Sequence, residues 1–347
     1  LTILHGNLLH APAFGTLETI PHGYLVLEDG VIRGLFPVLP EAYAGCPVTD
    51  YGESLIMPSF ADLHLHAPQY VMMGMGMDLP LLEWLDAYTF RTEARFEDTA
   101  YARRVYRQLA SDLIASGTGR SRSAASFPRA AISSLEQEGV KRGVRMGLTS
   151  WNRQFSSQRR VSDTDSAVSS WEGPAWRSMF TFPTVYSDER EQRAMAEAGV
   201  WAVHCAASNL NLCSGTASVR ELMDRGVRVA LGSDVAGGDQ LDMSRAVVMA
   251  IRASKIKQME TGAPFLTVPE AYYLGSTAGH LYFGGGVGFQ PGHKLHAIVV
   301  DDGAFPEPAR ELTLPERFER FSEMASMTGG GVQTPGFMGH GKHFLGR

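Results

Sequence analysis

Cysteine is scarce in this chain. Its 347 residues hold three, Cys46, Cys205 and Cys213, widely separated and odd in number. That pattern argues against a disulfide scaffold and fits a reducing compartment, so the cytoplasm is the expected location. Long apolar runs are missing too, and none reaches the ~18 residues that a membrane span needs. The opening LTILHGNLLH lacks the basic segment and long apolar core of a secretory signal, so none is expected. Positive charge is not in excess. The net charge is -6 at pH 7, which argues against general nucleic-acid binding. What remains is ordinary globular composition, 44% hydrophobic and 20% charged, in a chain long enough for one large α/β barrel or two smaller domains.

Two kinds of pattern divide the chain. Residues 1–56 alternate short β-rich runs with turns, and Glu28-Asp29-Gly30 between Tyr24-Leu25-Val26-Leu27 and Val31-Ile32 reads as a hairpin. A further strand, His296 through Val300, follows the turn Pro291-Gly292. The expectation is a small β-sandwich built from both termini, residues 1–56 plus 290–347, around a barrel at 57–289. Inside that interval, strand-then-helix units imply a parallel sheet. Barrel strands are expected near 55–66, 117–124, 143–149, 181–186, 200–205 and 227–234. Helices are expected over 97–116, from a cap at Ser187-Asp188 to Ala198, from Ser218-Val219-Arg220-Glu221, and from Thr267-Val268-Pro269-Glu270. A closed (β/α)₈ barrel has eight strands in ~250 residues, whereas roughly 220 are available here, so an incomplete or distorted barrel is expected.

The shortage has an address. Residues 119–180 are basic in an acidic chain, and 154–178 are Ser-rich without an apolar period, so this stretch is expected to be irregular. The Met/Gly-rich 72–77 reads as a surface loop or as a lid over a pocket. The Gly-rich end from 329, with His340 and His343, reads as a mobile tail.

The candidate chemistry starts in MPSFADLHLHAPQY, residues 57–70. His64 and His66 are two apart, so on a strand both imidazoles point to one face. Imidazole is a common ligand for zinc and similar cations. Asp234 closes another strand, in Gly232-Ser233-Asp234, and His204 closes the one before it. Barrel active sites sit at the C-terminal ends of strands, so His64, His66 and Asp234 are expected to converge there. Taken singly, Asp234 reads more readily as a helix N-cap or loop turn residue, and it is the three together at strand ends that point to a metal.

At these residues the chain resembles the amidohydrolase superfamily and, within it, the guanine deaminase family. The matching segments are MPSFADLHLHAPQY, MGMDLPLLEWLDAYTF (75–90), VHCAASNLNLCSG (203–215), VALGSDVAGG (229–238) and LTVPEAYYLGSTAGHLYFGGGVGFQPG (266–292). HAPQY together with MDLPLLEW is the specific part, since HxH alone indicates only the superfamily. The resemblance implies a TIM-type (β/α)₈ barrel, a homodimer, and one Zn2+ per chain, with Fe2+ the alternative. It implies hydrolysis of guanine to xanthine and ammonia. By the same resemblance His64 and His66 are metal ligands, Asp234 is a ligand that also takes a proton from water, and Gln69 contacts the edge of the base. His204 is read as pocket wall or core. The resemblance also implies two further histidine ligands and a glutamate proton shuttle, yet no histidine occurs between His66 and His204, and register places Phe182 near one missing ligand. Smaller departures are Ser59 for Gly, Ala206 for Pro and His296 for Asp. Weaker metal binding and slower turnover are therefore expected. The alternatives are an inactive remnant of the family and an amidohydrolase for another amino- or chloro-heterocycle.

Overall fold

The computed structural model describes residues 1–125, 145–150, 179–180, 183–303, 305–327 and 338–340. Both ends of the chain meet in one sheet. Its strands are β1 (Thr2–His10), β2 (Glu18–Glu28), β3 (Val31–Phe36), β4 (Val48–Pro58), β11 (Ala297–Val300) and β12 (Met338–His340), in the order β12-β11-β4-β1-β2-β3. The β2–β3 turn is the hairpin read from Asp29-Gly30. Both residues have positive φ, +51° and +75°, as a tight two-residue turn requires of its central pair. Leu4, Leu8, Leu25, Leu27, Ile56 and Val299 pack together on this sheet. The expected sandwich is, among the described residues, a single six-stranded sheet. The glycine-rich end also contributes to it, because Met338–His340 pair antiparallel with Ala297–Val299. His343 lies outside the described residues.

The single strand expected over 55–66 is two strands. β4 belongs to the terminal sheet, and β5 (Phe60–His66) opens the barrel. The change of sheet falls at Pro58-Ser59, where proline has no N–H for a ladder. The Ser59 N–H donates to His296 O at 2.9 Å and ties the barrel to the terminal sheet. Every residue of β5 is buried, so the strand has protein on both faces, as parallel barrel strands do.

β5 pairs in parallel with β6 (Thr118–Ala125), and β6 with β7 (Arg145–Ser150). β8 (Met179–Phe180), β9 (Trp201–His204) and β10 (Arg228–Leu231) form a second parallel set. The two sets join beyond the end of β10. Asp234 N–H donates to His64 O at 2.7 Å, and His66 N–H donates to Val235 O at 2.8 Å. The described wall therefore runs β8-β9-β10-β5-β6-β7, which is TIM-barrel-like. The strand expected at 181–186 is corrected. β8 ends at Phe180, and Pro183–Tyr186 is a helical turn, for which proline in the first turn is suited. Phe182 and residues 154–178 lie outside the described residues.

The helices follow local signals. Asp98 caps Thr99–Ala115 by accepting from the N–H groups of Ala100 and Tyr101, and that helix buries Tyr106, Leu109 and Leu113. It provides the crossover that two parallel strands require. Gly117, with φ +79°, closes the turn into β6. Reciprocal capping boxes form at Asp188/Glu191 and Thr267/Glu270. The box read at Ser218 does not form: Ser218 makes no cap bond, and Arg220 of that helix instead pairs with Glu270. The Met-rich loop is pinned, with Met72 buried and Met75 O accepting from Trp84 Nε1 at 2.9 Å.

Candidate metal centre

Alternation along β5 puts Asp62, His64 and His66 on one face and Ala61, Leu63 and Leu65 on the other. Gly279 shows the outer face: a Cβ there would lie 2.5 Å from Ala61 Cβ and 2.9 Å from Leu63 Cδ1, so a helix lies against it. The inner face carries the polar groups. His64 Nε2 lies 3.1 Å from His66 Nε2, and Asp234 Oδ1 lies 3.1 Å from His64 Nε2 and 3.3 Å from His66 Nε2. All three residues are buried. The structure thus brings together the three residues singled out as ligands, across a sequence gap that no local pattern spans.

Hydrogen bonds alone do not satisfy this triangle. If both Nε2 atoms carry protons, their N–H groups oppose each other. If only one does, the other nitrogen's lone pair faces the carboxylate. A cation removes the conflict, because all three atoms then act as ligands. Atoms bound at 2.0–2.1 Å around a tetrahedral ion lie roughly 3.3 Å apart, close to the distances here. The donor set fits zinc: two imidazole nitrogens and one carboxylate oxygen, with a coordination side left open.

Asp234 is held from several directions. Its Oδ2 accepts from Ser208 Oγ at 2.7 Å, leaving Oδ1 for the histidines. Burial alone would raise its pKa, but His64 and His66 outweigh burial and hold the carboxyl far below the usual range. Burial lowers the His64 pKa, which favours the neutral, ligand-competent imidazole. Asp234 also has φ +49°, a left-handed conformation uncommon for a residue other than glycine.

Asp62 gained no role from the sequence, though its i−2 spacing from His64 was the available signal. Its Oδ1 accepts from His64 N–H and Ser233 N–H, both at 3.0 Å, and its Oδ2 from Ser233 Oγ at 2.5 Å. One carboxyl therefore fastens the strand carrying His64 and His66 to the loop carrying Asp234. Burial pushes its pKa up to about 7. Gly232 belongs to the same seam: a Cβ there would lie 2.9 Å from His64 Cβ and 3.0 Å from His64 N. Ser208, quoted within 203–215 without a role, is the Asp234 partner described above.

Gln69 is buried just beyond β5. Its Nε2 donates to Glu93 Oε1 at 2.8 Å, and its Oε1 accepts from Ala236 N–H at 3.4 Å, two residues past Asp234. His204 stays outside the triangle. It is buried, its Nδ1 has no hydrogen-bond partner, and burial lowers its pKa to about 4. It serves as wall and core. His296, in place of an aspartate, lies 2.7 Å from Arg120 Nη2, far from the ligands at the sheet–barrel junction.

Known proteins resemble this chain in sequence and in fold. Residues 179–330 match the profile of the amidohydrolase family, and residues 315–347 match one for the C-terminal part of the ACS/CODH beta subunit. The guanine deaminase of Dictyostelium discoideum is 24% identical, over 80% of this chain and 83% of its own length. The probable guanine deaminase of Deinococcus radiodurans is 27% identical, over 92% of this chain and 93% of its own. A crystal structure of guanine deaminase from C. acetobutylicum, with guanine bound in its active site, superposes with a TM-score of 0.81 at 26% identity, over 93% of this chain and 96% of that one. The fold resembles that of the amidohydrolase family, and the match covers the strands β9 and β10 that lead to Asp234. Within it, the resemblance to the guanine deaminases read from the sequence is borne out.

The D. radiodurans alignment runs over 412 positions against a chain of 347, so at least 65 of them have no counterpart here.

Proposed function

We propose that this protein is a guanine deaminase-type aminohydrolase, converting guanine and water to xanthine and ammonia. The observation that carries the reading is the triangle of His64 Nε2, His66 Nε2 and Asp234 Oδ1. Those three atoms would hold one divalent cation, zinc by the donor set and Fe2+ as the alternative. When bound, such an ion lowers the pKa of water toward neutrality and supplies hydroxide for the purine carbon bearing the exocyclic amine.

The chain's own groups do the rest. Asp234, kept ionised by the two histidines and steadied by Ser208, receives the proton that water gives up. Gln69 offers a donor and an acceptor side by side to the edge of the base. His64, His66 and Asp234 are all buried, which keeps bulk water from them. Turnover is slow, because the stretch from 67 to 203 has no histidine to supply the two further ligands that the resemblance implies, and the motif carrying the proton-shuttle glutamate has no match in the sequence. We further propose a homodimer in the cytoplasm and a two-part organisation, terminal domain 1–56 plus 290–347 and barrel 57–289. The three free cysteines support the compartment, and the sheet formed by both termini supports the division.

A second reading has that same histidine gap behind it: a purine-binding relative without catalysis. Two measurements separate the readings. Metal analysis after exposure to zinc is expected to give one ion per chain, lost in His64→Ala and His66→Ala. Incubation with guanine is expected to release xanthine and ammonia in equal amounts. Zinc uptake with no ammonia leaves the second reading, and the absence of both sinks the first entirely.

A further inference from the structure

We propose that Glu93 is a positioning residue that fixes which way the Gln69 amide faces, and with it the choice between guanine and adenine. The inference rests on the reading of Gln69 as a base contact. A glutamine amide turned by 180° about its last bond keeps its shape but exchanges donor and acceptor, so its neighbours decide the orientation. Here two neighbours agree. A carboxylate offers acceptors only, and Glu93 Oε1 takes the Nε2 side at 2.8 Å. A backbone N–H offers a donor only, and Ala236 takes the Oε1 side at 3.4 Å. The shorter bond involves the carboxylate and sets the orientation, whereas the longer one is too weak to hold it unaided.

Glu93 comes from the helical segment Phe90–Ala94, and Gln69 from the turn Ala67–Met72 directly after His66. The pair therefore joins the ligand strand to a separate element. Once both bonds form, the amide retains one N–H and one lone pair, in a fixed order. Guanine and adenine present opposite orders on their Watson–Crick edges: acceptor then donor for guanine, donor then acceptor for adenine. An amide locked in one order accepts one base and rejects the other. A well-formed two-point contact between an amide and a base discriminates by about 1–3 kcal/mol, or roughly 5- to 150-fold.

The test is equilibrium dialysis of the full chain, with zinc added, against guanine and adenine. The unmodified chain is expected to prefer guanine. Glu93→Gln keeps the size of the side chain and its hydrogen bond but accepts either orientation of Gln69. Its preference is expected to fall by roughly 5- to 150-fold, mostly through better adenine binding. A purely structural role for Glu93 would weaken both bases alike and leave their ratio unchanged, and that result overturns the proposal. Gln69→Ala separates this failure from failure of the underlying reading. If Gln69→Ala abolishes the preference while Glu93→Gln does not, only the positioning role falls. If neither variant moves it, or the unmodified chain binds no guanine, the purine slot falls as well.

Discussion

Replacing Asp62 with alanine should damage both the fold and the metal centre, by an amount the hydrogen bonds set. Asp62 Oδ1 is the acceptor for the His64 and Ser233 N–H groups. Both groups are buried where β5 meets the loop after β10, and water does not reach them to replace the lost acceptor. Leaving a buried donor unsatisfied costs about 1–3 kcal/mol, so two cost about 2–6 kcal/mol. The Ser233 hydroxyl, which donates to Oδ2, turns to another acceptor and adds little. Asp62→Asn keeps Oδ1 and both N–H contacts, and its Nδ2 donates to Ser233 Oγ in the reverse sense. Its expected cost is below about 1.5 kcal/mol. The two ligand-bearing segments meet at this carboxyl, so the alanine variant should also bind metal about 10- to 100-fold more weakly, as other supports of metal ligands do when removed. Urea unfolding followed by circular dichroism measures the first effect, and competition titration with Co2+ measures the second. An alanine variant within about 1 kcal/mol of the parent, with unchanged cobalt affinity, would refute the reasoning.

Three further outcomes are expected. Ser208→Ala removes the hydroxyl that holds Asp234 Oδ2, and Co2+ affinity should fall about 10- to 100-fold with stability changing by less than about 2 kcal/mol. Gly232→Ala puts a methyl 2.9 Å from His64 Cβ and 3.0 Å from its backbone nitrogen. It should cost about 1–3 kcal/mol and weaken metal binding, and a neutral result in unfolding curves would show that β5 yields. His204 and His280 are both buried with pKa lowered to about 4, against an ordinary value near 6.5. The unfolded chain therefore takes up protons first as pH falls. The stability that these two neutral histidines contribute is complete above pH 6.5 and is lost between 6.5 and 4, by about 3 kcal/mol each, while buried Asp62, with its pKa raised to about 7, acts in the opposite sense. The stability difference between His280→Gln and the unmodified chain, measured by urea unfolding at about pH 7 and about pH 4.5, tests this and should shift in the variant's favour by about 3 kcal/mol at the lower pH.

Much of the local structure was legible in the residues. The Asp29-Gly30 hairpin, the caps at Asp188 and Thr267, and the helix through Tyr106, Leu109 and Leu113 each depend on groups within a few positions of one another. The readings that failed depended on distant partners. Ser218 has the right neighbours for a capping box yet makes no cap bond, and Arg220 of that helix pairs with a distant residue, Glu270, 50 residues away. The strand over 55–66 has continuous β character, and only pairing with His296 on one side and β6 on the other divides it at Ser59. The end of the chain reads as glycine-rich and unstructured, yet the free edge of β11 gives it a partner.

The same division holds at the centre. Strand periodicity by itself placed His64 and His66 on one face, because alternation is a property of any extended backbone. Strand-end position made Asp234 a candidate. That Asp234 lies within 3.1–3.3 Å of both imidazoles was decided by tertiary structure, through the two backbone bonds that close β10's loop onto β5. So were the parts played by Asp62, Ser208 and Glu93, whose partners are 171, 26 and 24 positions away. Sequence spacing governs what neighbours along the chain do, whereas a buried polar group takes whichever partner the packed core brings within reach.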